Sequence, residues 1–194
     1  MPSTKTESGK YTPRLKTLIK AQAPVLMEEL NVKNVMQLPR LSKVVINVGL
    51  GKAKDDKRMF EVAGNTLAKI TGQKPVEIIA KKSIASFKLR EGNKVGLCVT
   101  LRGDKMYEFA DRFINIVLPR VRDFHGVSAK SFDKSGNFAI GLKDQSIFPE
   151  LSFEETSVAH GLQVIFVLDI AKPEHGRALL EKIGMPFEKA RSDK

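Results

Sequence analysis

The stretch that decides the fold is Lys81–Arg102, KKSIASFKLREGNKVGLCVTLR, in which a basic loop leads into an alternating strand. A period of two predicts a strand with one face on a core and one face outward. The outward face carries no acid, which favours a polyanion as its ligand, although an ordinary solvated sheet face has the same pattern. The inward positions are Val95, Leu97, Val99 and Leu101, and the outward positions are Lys94, Gly96, Cys98, Thr100 and Arg102.

The rest of the chain repeats this alternation in further strands and shows helical spacing between them. In the second strand, Val76, Ile78 and Ala80 are predicted to face inward. Pro24 is predicted to kink or split the first helix, because proline lacks the N–H that a helix interior needs. The predicted strands are Lys43–Gly49, Pro75–Lys81, Lys94–Arg102, Asn137–Lys143 and Leu162–Ile170, and the predicted helix faces run from Leu15 to Leu30, Met59 to Ile70, Met106 to Val121 and Glu174 to Ile183.

The helix boundaries also have recognisable signals. Asp55 and Asp56 are predicted to cap the second helix, and Gly72 and Gly184 to end the second and the last helix. The helices are numerous enough to cover one sheet face only, which predicts the α+β class. Without a repeat or a composition break, the chain is expected to form one domain over residues 11–189. A disordered basic tail at 1–10 and a flexible end at 190–194 are expected to flank it.

The composition narrows the class of protein. The chain has 194 residues and a formal net charge of +11, which favours nucleic acid or another anionic surface as partner. Cys98 is the single cysteine, so a disulfide framework is excluded. No apolar run approaches the roughly 20 residues of a membrane span, and the N-terminus lacks the apolar core of a secretory signal. We therefore expect a soluble, cytoplasmic protein without a membrane partner.

The sequence gives little evidence for a catalytic or metal site. Gly49-Leu50-Gly51-Lys52 lies between a strand and a helix, as phosphate-binding loops do, but Ala53 replaces the hydroxyl residue that holds magnesium. A tight strand-to-helix turn accounts for the same residues. His125, His160 and His175 have no metal-ligand spacing and are expected to be surface histidines. We expect no enzyme activity, no cofactor and no metal.

The outward strand positions also indicate which kind of RNA surface to expect. Platforms that bind single strands place aromatic rings on the exposed sheet face. The outward positions here, such as Asn47, Cys98 and Thr100, are small or polar, and the chain has no Trp. Such groups suit the ribose hydroxyls and phosphates of RNA that is already folded.

A set of longer motifs adds a family resemblance. MQLPR, VVINVGLG, TGQKP, KKSIASFKLREG, VTLRG, PRVRDFHGVSAKSFD, GNFAIGL and IFPE occur in this order. Over about Met36–Lys189 the chain resembles the bacterial form of large-subunit ribosomal protein L five (L5), the 5S rRNA-binding protein. The resemblance implies a single antiparallel sheet with helices packed on one face. It also implies that the other face is exposed for 5S rRNA in the central protuberance.

The resemblance also implies a role for particular residues. The 5S rRNA contacts fall on Asn47, Gln73 and Thr100, beside the outward cations Lys43 and Arg102. The loop Ser83–Lys94 is implied to reach the elbow of a P-site tRNA and the segment after Pro119 to meet a protein of the small-subunit head, in an intersubunit bridge. The loop residues are Lys82, Ser83, Phe87, Lys88, Arg90 and Lys94, and the bridge residues are Arg120, Arg122, Asp123 and His125.

Other partners and functions complete the expectations. Large-subunit rRNA and neighbouring large-subunit proteins are expected as further partners. Two alternatives belong to other classes: a nucleotide-dependent enzyme that uses Gly49–Lys52, and a nonspecific basic RNA chaperone. Stabilisation by ATP or GTP would favour the first, and equal affinity for 5S rRNA and random RNA would favour the second.

Overall fold

The structure is a computed structural model that describes residues 11–51, 57–122, 124–156, 158–170 and 172–188. The predicted tail at 1–10, the predicted caps Asp55 and Asp56, and the predicted flexible end at 190–194 lie outside the described residues.

The described residues form an α+β fold with one five-stranded antiparallel sheet, so the predicted class is confirmed. The strand order is β2-β3-β1-β5-β4. The strands are β1 (Arg40–Gly49), β2 (Val76–Ile79), β3 (Lys94–Leu101), β4 (Phe138–Leu142) and β5 (Leu162–Asp169), and the helices are α1 (Arg14–Glu29), α2 (Lys57–Thr71), α3 (Gly103–Arg112), α4 (Phe153–Thr156) and α5 (Pro173–Lys182).

The chain packs as two compact units. The first unit holds the described residues of Met1–Val44, Arg102–Ile140 and Ile165–Lys194, and the second holds those of Val45–Leu101 and Gly141–Val164. None of the described helices is long and apolar enough to span a membrane.

An aromatic cluster occupies the core of the first unit. The ring of Phe113 lies 5.8 Å from that of Phe109 and 5.7 Å from that of Phe166 in β5, and all three are buried. Phe113 begins a π-helical turn that extends α3, and a 3₁₀ turn containing Pro119 follows it. The predicted helix face therefore continues past the end of the regular α-helix.

The prediction that Pro24 splits the first helix is wrong, since α1 is one helix from Arg14 to Glu29. A proline in a helix interior removes one hydrogen bond and strains the preceding turn. Leu15 and Leu26 are buried on the two sides of Pro24. Their burial stabilises both halves of the helix and offsets the missing bond.

In the second unit, α2 packs on the inward face of β3. A Cβ placed on Gly64 of α2 would lie 3.9 Å from the side chain of Leu97 in β3. Ala63, Leu67 and Ile70 are buried along the predicted helix face. Gly72 has a φ of +64°, a value that suits glycine at a helix end, so the predicted end of α2 is confirmed.

The predicted inward burial of the second strand is wrong. Val76 is 66% exposed and Ile78 is 40% exposed, and of the three predicted inward residues only Ala80, just beyond the strand, is buried. β2 lies at the edge of the sheet and has four residues, fewer than predicted. The register pairs Val76 with Cys98 and Ile78 with Gly96, so both apolar side chains lie on the outward face of the sheet and not on the side covered by α2.

Two matched substitutions test this difference between the strands. Val99 in β3 is 1% exposed, whereas Val76 in β2 is 66% exposed. We expect Val99→Ala to lower the free energy of unfolding by about 2 kcal/mol, because it leaves a cavity in a packed core. Val76→Ala should change it by less than about 0.5 kcal/mol. Urea unfolding measures both, and equal losses would contradict the burial pattern.

The expectation of surface histidines is wrong for His160 and His175, which are 5% and 8% exposed, whereas His125 is exposed. His160 is buried because Gln145 holds its loop: the His160 N–H donates to Gln145 Oε1 at 2.7 Å, and Gln145 Nε2 donates to the carbonyl of Val158 at 2.8 Å. Burial lowers the pKa of His160 below its ordinary value of 6.5, against smaller raising effects of the Val158 carbonyl and Asp144.

This histidine gives the stability a predictable pH dependence. Because the folded pKa lies below 6.5, the unfolded chain binds more protons between the two pKa values. The free energy of unfolding should therefore fall as the pH drops below about 6.5. We expect the free energy of unfolding of the His160→Gln variant to depend less on pH over this window, because glutamine does not titrate. Urea unfolding at several pH values measures it. Parallel curves for the two proteins would contradict the assignment.

Candidate nucleic-acid interface

Asn47 and Thr100 lie on the outward side of two neighbouring strands. Their chain neighbours, Ile46 and Val48 in β1 and Val99 and Leu101 in β3, are buried. Successive side chains of a strand point to opposite faces, so Asn47 and Thr100 point away from the core. Both are half-buried, and β1 and β3 are adjacent in the sheet. The outward placement predicted from alternation is confirmed.

Gln73 is held beside Thr100 by a hydrogen bond that alternation could not predict. Its Nε2 donates to the carbonyl of Thr100 at 3.3 Å. Its backbone N–H donates to the hydroxyl of Thr71 at 3.2 Å, and that hydroxyl lies 2.7 Å from the carbonyl of Leu67. The end of α2 therefore fixes the position of Gln73, and the bond to Thr100 uses one of its two amide protons.

The neighbouring residues of β3 on this face are small, and the apolar Val76 and Ile78 of β2 are exposed opposite them. Cys98 is half-buried, and its thiol interacts with Thr100. Burial raises the pKa of Cys98, so the thiol stays protonated at neutral pH and is a poor nucleophile. A Cβ on Gly96 would lie 2.5 Å from the carbonyl oxygen of Val48, so the close approach of β1 and β3 requires glycine there. Below, "polar face" means Asn47, Gln73, Cys98 and Thr100.

The two cations predicted beside this face belong to the first unit. Lys43 lies in β1 four residues before Asn47 and is half-buried. Arg102 directly follows β3 and is exposed.

Residues 81–93, here called the basic hairpin, connect β2 to β3. Ala80 donates to the carbonyl of Asn93 at 2.9 Å, which closes the base of the hairpin. Ile84 and Leu89 exchange two backbone hydrogen bonds of 2.9 and 3.1 Å, and Lys88 between them has a left-handed φ of 48°. The predicted contact residues Lys82, Ser83, Phe87, Lys88 and Arg90 all lie in it, and all five are exposed.

Lys94 differs from the other predicted loop residues. It lies in β3, and its Nζ is 2.6 Å from Oε1 of Glu77 in β2. The ion pair links the two strands on a half-exposed surface. Its positive charge is therefore partly neutralised, which weakens Lys94 as a phosphate ligand.

The predicted bridge segment lies in the first unit. Three of the predicted bridge residues are exposed, namely Arg120, Arg122 and His125. Asp123 lies outside the described residues. The segment ends at a tight contact: Gly126 has a φ of +107°, and a Cβ there would lie 2.7 Å from the backbone nitrogen of Glu188. Val127 donates to the carbonyl of Pro186 at 2.8 Å. These contacts hold the C-terminal end of the exposed segment in place.

The turn that suggested a nucleotide site does not line the large groove of the second unit. That groove, about 1030 Å³, lies between α2 and the β2–β3 pair, and neither Gly49 nor Gly51 lines it. Lys52 lies outside the described residues. In the part of the chain that the structure describes, no group of three or more His, Cys, Asp or Glu residues could hold a metal ion.

Comparison with known proteins agrees with the motifs. The family model described as ribosomal protein L5 matches residues 34–90, and the model for the C-terminus of the same ribosomal family matches residues 94–187. The large ribosomal subunit protein uL5 of Alkaliphilus oremlandii is 51% identical over 91% of this chain and 99% of its own length. The uL5 proteins of Heliobacterium modesticaldum and Clostridium botulinum are each 53% identical, over 90% and 84% of this chain and 97% and 90% of their own lengths.

The chain belongs to the ribosomal protein L5 family. It is therefore a structural protein of the large ribosomal subunit, with rRNA and ribosomal proteins as partners, and its place is in the cytoplasm within the ribosome. The family is not an enzyme family, which removes the nucleotide-dependent enzyme as an alternative.

Proposed function

We propose that this protein binds 5S rRNA through the polar face and helps to dock it in the central protuberance of the large subunit. The observation that carries this proposal is the hydrogen bond from Gln73 to the Thr100 carbonyl. It brings a side-chain amide from the end of α2 beside the hydroxyl-bearing residue of β3. Asn47 supplies a second amide from the adjacent strand. Family resemblance assigns RNA contact to these three residues.

The chemistry of this face suits the backbone of folded RNA. Amide and hydroxyl groups exchange hydrogen bonds with ribose 2′-hydroxyls and phosphates, which is how double-helical RNA is recognised across its shallow minor groove. Lys43 in β1 and Arg102 directly after β3 are proposed as further ligands of RNA phosphates. The absence of aromatic side chains among the four residues of the polar face disfavours base stacking there.

Substitution of the polar face should weaken 5S rRNA binding without unfolding the protein. We expect Asn47→Ala, Gln73→Ala and Thr100→Val each to cost about 1–3 kcal/mol of binding free energy, because each leaves a buried RNA group unpaired. Thr100→Val keeps the β-branched shape that a strand favours. Filter binding with 5S rRNA measures the affinity, and thermal unfolding checks the fold of each variant.

The matched control is Asn65→Ala, which removes an exposed amide from α2, the helix on the inward side of β3. It should bind 5S rRNA with wild-type affinity. A scrambled RNA of equal length should bind more weakly than 5S rRNA to the wild-type protein. Normal binding by the three variants would place the interface elsewhere, and equal binding of both RNAs would favour a nonspecific RNA chaperone.

We further propose that the basic hairpin contacts the elbow of the P-site tRNA. Its sequence carries Lys81, Lys82, Lys88 and Arg90 against the single acid Glu91, a net charge of +3. Binding residues are commonly carried by loops on a rigid scaffold, and here the β2–β3 pair is that scaffold. The cations would meet phosphates of the tRNA backbone.

The two proposed surfaces should be separable. We expect the double variant Lys88→Ala, Arg90→Ala to bind 5S rRNA normally. Ribosomes that carry it should hold P-site tRNA less tightly by about 1 kcal/mol, since exposed charge contacts are individually weak. The double variant Lys20→Ala, Lys33→Ala removes the same charge from the exposed α1 region and controls for net charge. Loss of 5S rRNA affinity with normal tRNA binding would reverse the two assignments.

The third proposed surface is the segment with Arg120, Arg122 and His125, together with Asp123. We propose that it contacts a protein of the small-subunit head and so forms part of an intersubunit bridge. The support is the exposure of its three described residues and the anchoring of the chain at Gly126 and Val127. Exposed side chains on an anchored backbone form a preorganised surface, whose backbone moves little on binding.

A further inference from the structure

Phe87 is an exposed aromatic residue in the middle of the basic hairpin. It is 71% exposed, and the other aromatic residue with a large exposed surface in the described chain is Tyr11, at 62%. The polar face contains no ring, so Phe87 introduces a chemistry that the proposed 5S rRNA site lacks. An exposed apolar residue needs no explanation by itself. Phe87 differs because of how the backbone presents it and because of the charges around it.

The backbone around Phe87 is fixed by hydrogen bonds. Phe87 ends the 3₁₀ turn Ala85–Phe87, and Lys88 donates to the carbonyl of Ala85 at 3.0 Å. The Ile84–Leu89 pair encloses this turn, and Ser83 Oγ accepts a hydrogen bond from the Glu91 N–H at 2.9 Å. A ring on such a backbone loses little conformational entropy when it binds a ligand.

The surrounding charge selects the kind of ligand. The hairpin has a net charge of +3, which disfavours a purely apolar partner and favours a polyanion. A ring beside cations matches a nucleotide, whose base has a flat face and whose phosphate is negative. RNA loops expose such bases outside a continuous helical stack.

We propose that Phe87 stacks on a base exposed at the elbow of the P-site tRNA, while the cations of the basic hairpin meet the neighbouring phosphates. This inference rests on the proposed tRNA contact and assigns it a stacking site. It separates two contributions within one loop: Lys88 and Arg90 give a contact that salt screens, and Phe87 gives one that salt affects little.

The test compares three variants in ribosomes. Phe87→Leu keeps an apolar side chain but removes the ring, Phe87→Trp keeps a stacking surface, and Tyr11→Leu removes an exposed ring outside the hairpin. We expect Phe87→Leu to weaken P-site binding of deacylated tRNA at least about fivefold. Phe87→Trp and Tyr11→Leu should bind as the wild type does, and 5S rRNA binding should be unchanged in all three.

A second readout uses the isolated full-length protein. The chain has no Trp, so the fluorescence of Phe87→Trp reports on this position alone. Quenching by added tRNA that persists when salt is raised would support stacking. Unchanged fluorescence at tRNA concentrations that saturate binding would overturn it, whether or not Phe87→Leu folds stably.

The outcomes distinguish failure of the stacking inference from failure of the proposed tRNA contact on which it rests. If the Lys88→Ala, Arg90→Ala variant loses tRNA affinity but Phe87→Leu does not, the hairpin contacts tRNA without stacking and the inference is wrong. If Phe87→Trp loses as much affinity as Phe87→Leu, the ring acts through shape alone and the inference is again wrong. If neither the charge variant nor Phe87→Leu changes tRNA affinity, the proposed tRNA contact itself fails.

Discussion

The burial of one face of β3 is the constraint on which the second unit depends. Leu97, Val99 and Leu101 are each at most 3% exposed, and α2 packs on this side of the strand. A slip of one residue would exchange the two faces and bury Cys98 and Thr100 instead. The hydrophobic free energy that fixes the register therefore also fixes the outward direction of the proposed RNA ligands. Stability and binding use alternate residues of the same strand.

The same constraint reaches Gln73 through the end of α2. Because α2 is held on β3, the turn after Gly72 brings Gln73 close enough to donate to the Thr100 carbonyl. Gly96 contributes from within the strand, since a side chain there would meet the Val48 carbonyl and force β1 and β3 apart. Both features fix the positions of polar groups before any ligand arrives, which reduces the entropy lost on binding.

The sequence predicts what periodicity controls, and it fails where the pairing of strands or contacts between distant residues decide the outcome. Asn47 and Thr100 are correctly placed because neighbours along the strand determine their direction. The prediction for Val76 is wrong because its pairing with Cys98 puts it on the outward face, and alternation within β2 alone cannot decide that pairing. The contact of Gln73 with Thr100 joins residues 27 positions apart, and the burial of His160 depends on Gln145, 15 positions away. No local pattern encodes such pairs, and Gln73 was singled out by family motif alone.

The β2–β3 pair explains how one unit can carry two proposed RNA contacts without conflict. β3 carries Thr100 near its C-terminal end, whereas the basic hairpin precedes its first residue, Lys94. With a rise of about 3.3 Å per residue, the distance along the strand from Lys94 to Leu101 is roughly 23 Å. The Glu77–Lys94 ion pair and the backbone bonds at Ala80 stiffen the connection. A rigid strand of this length keeps a ligand on the polar face apart from one on the hairpin, so each contact can be optimised by its own residues.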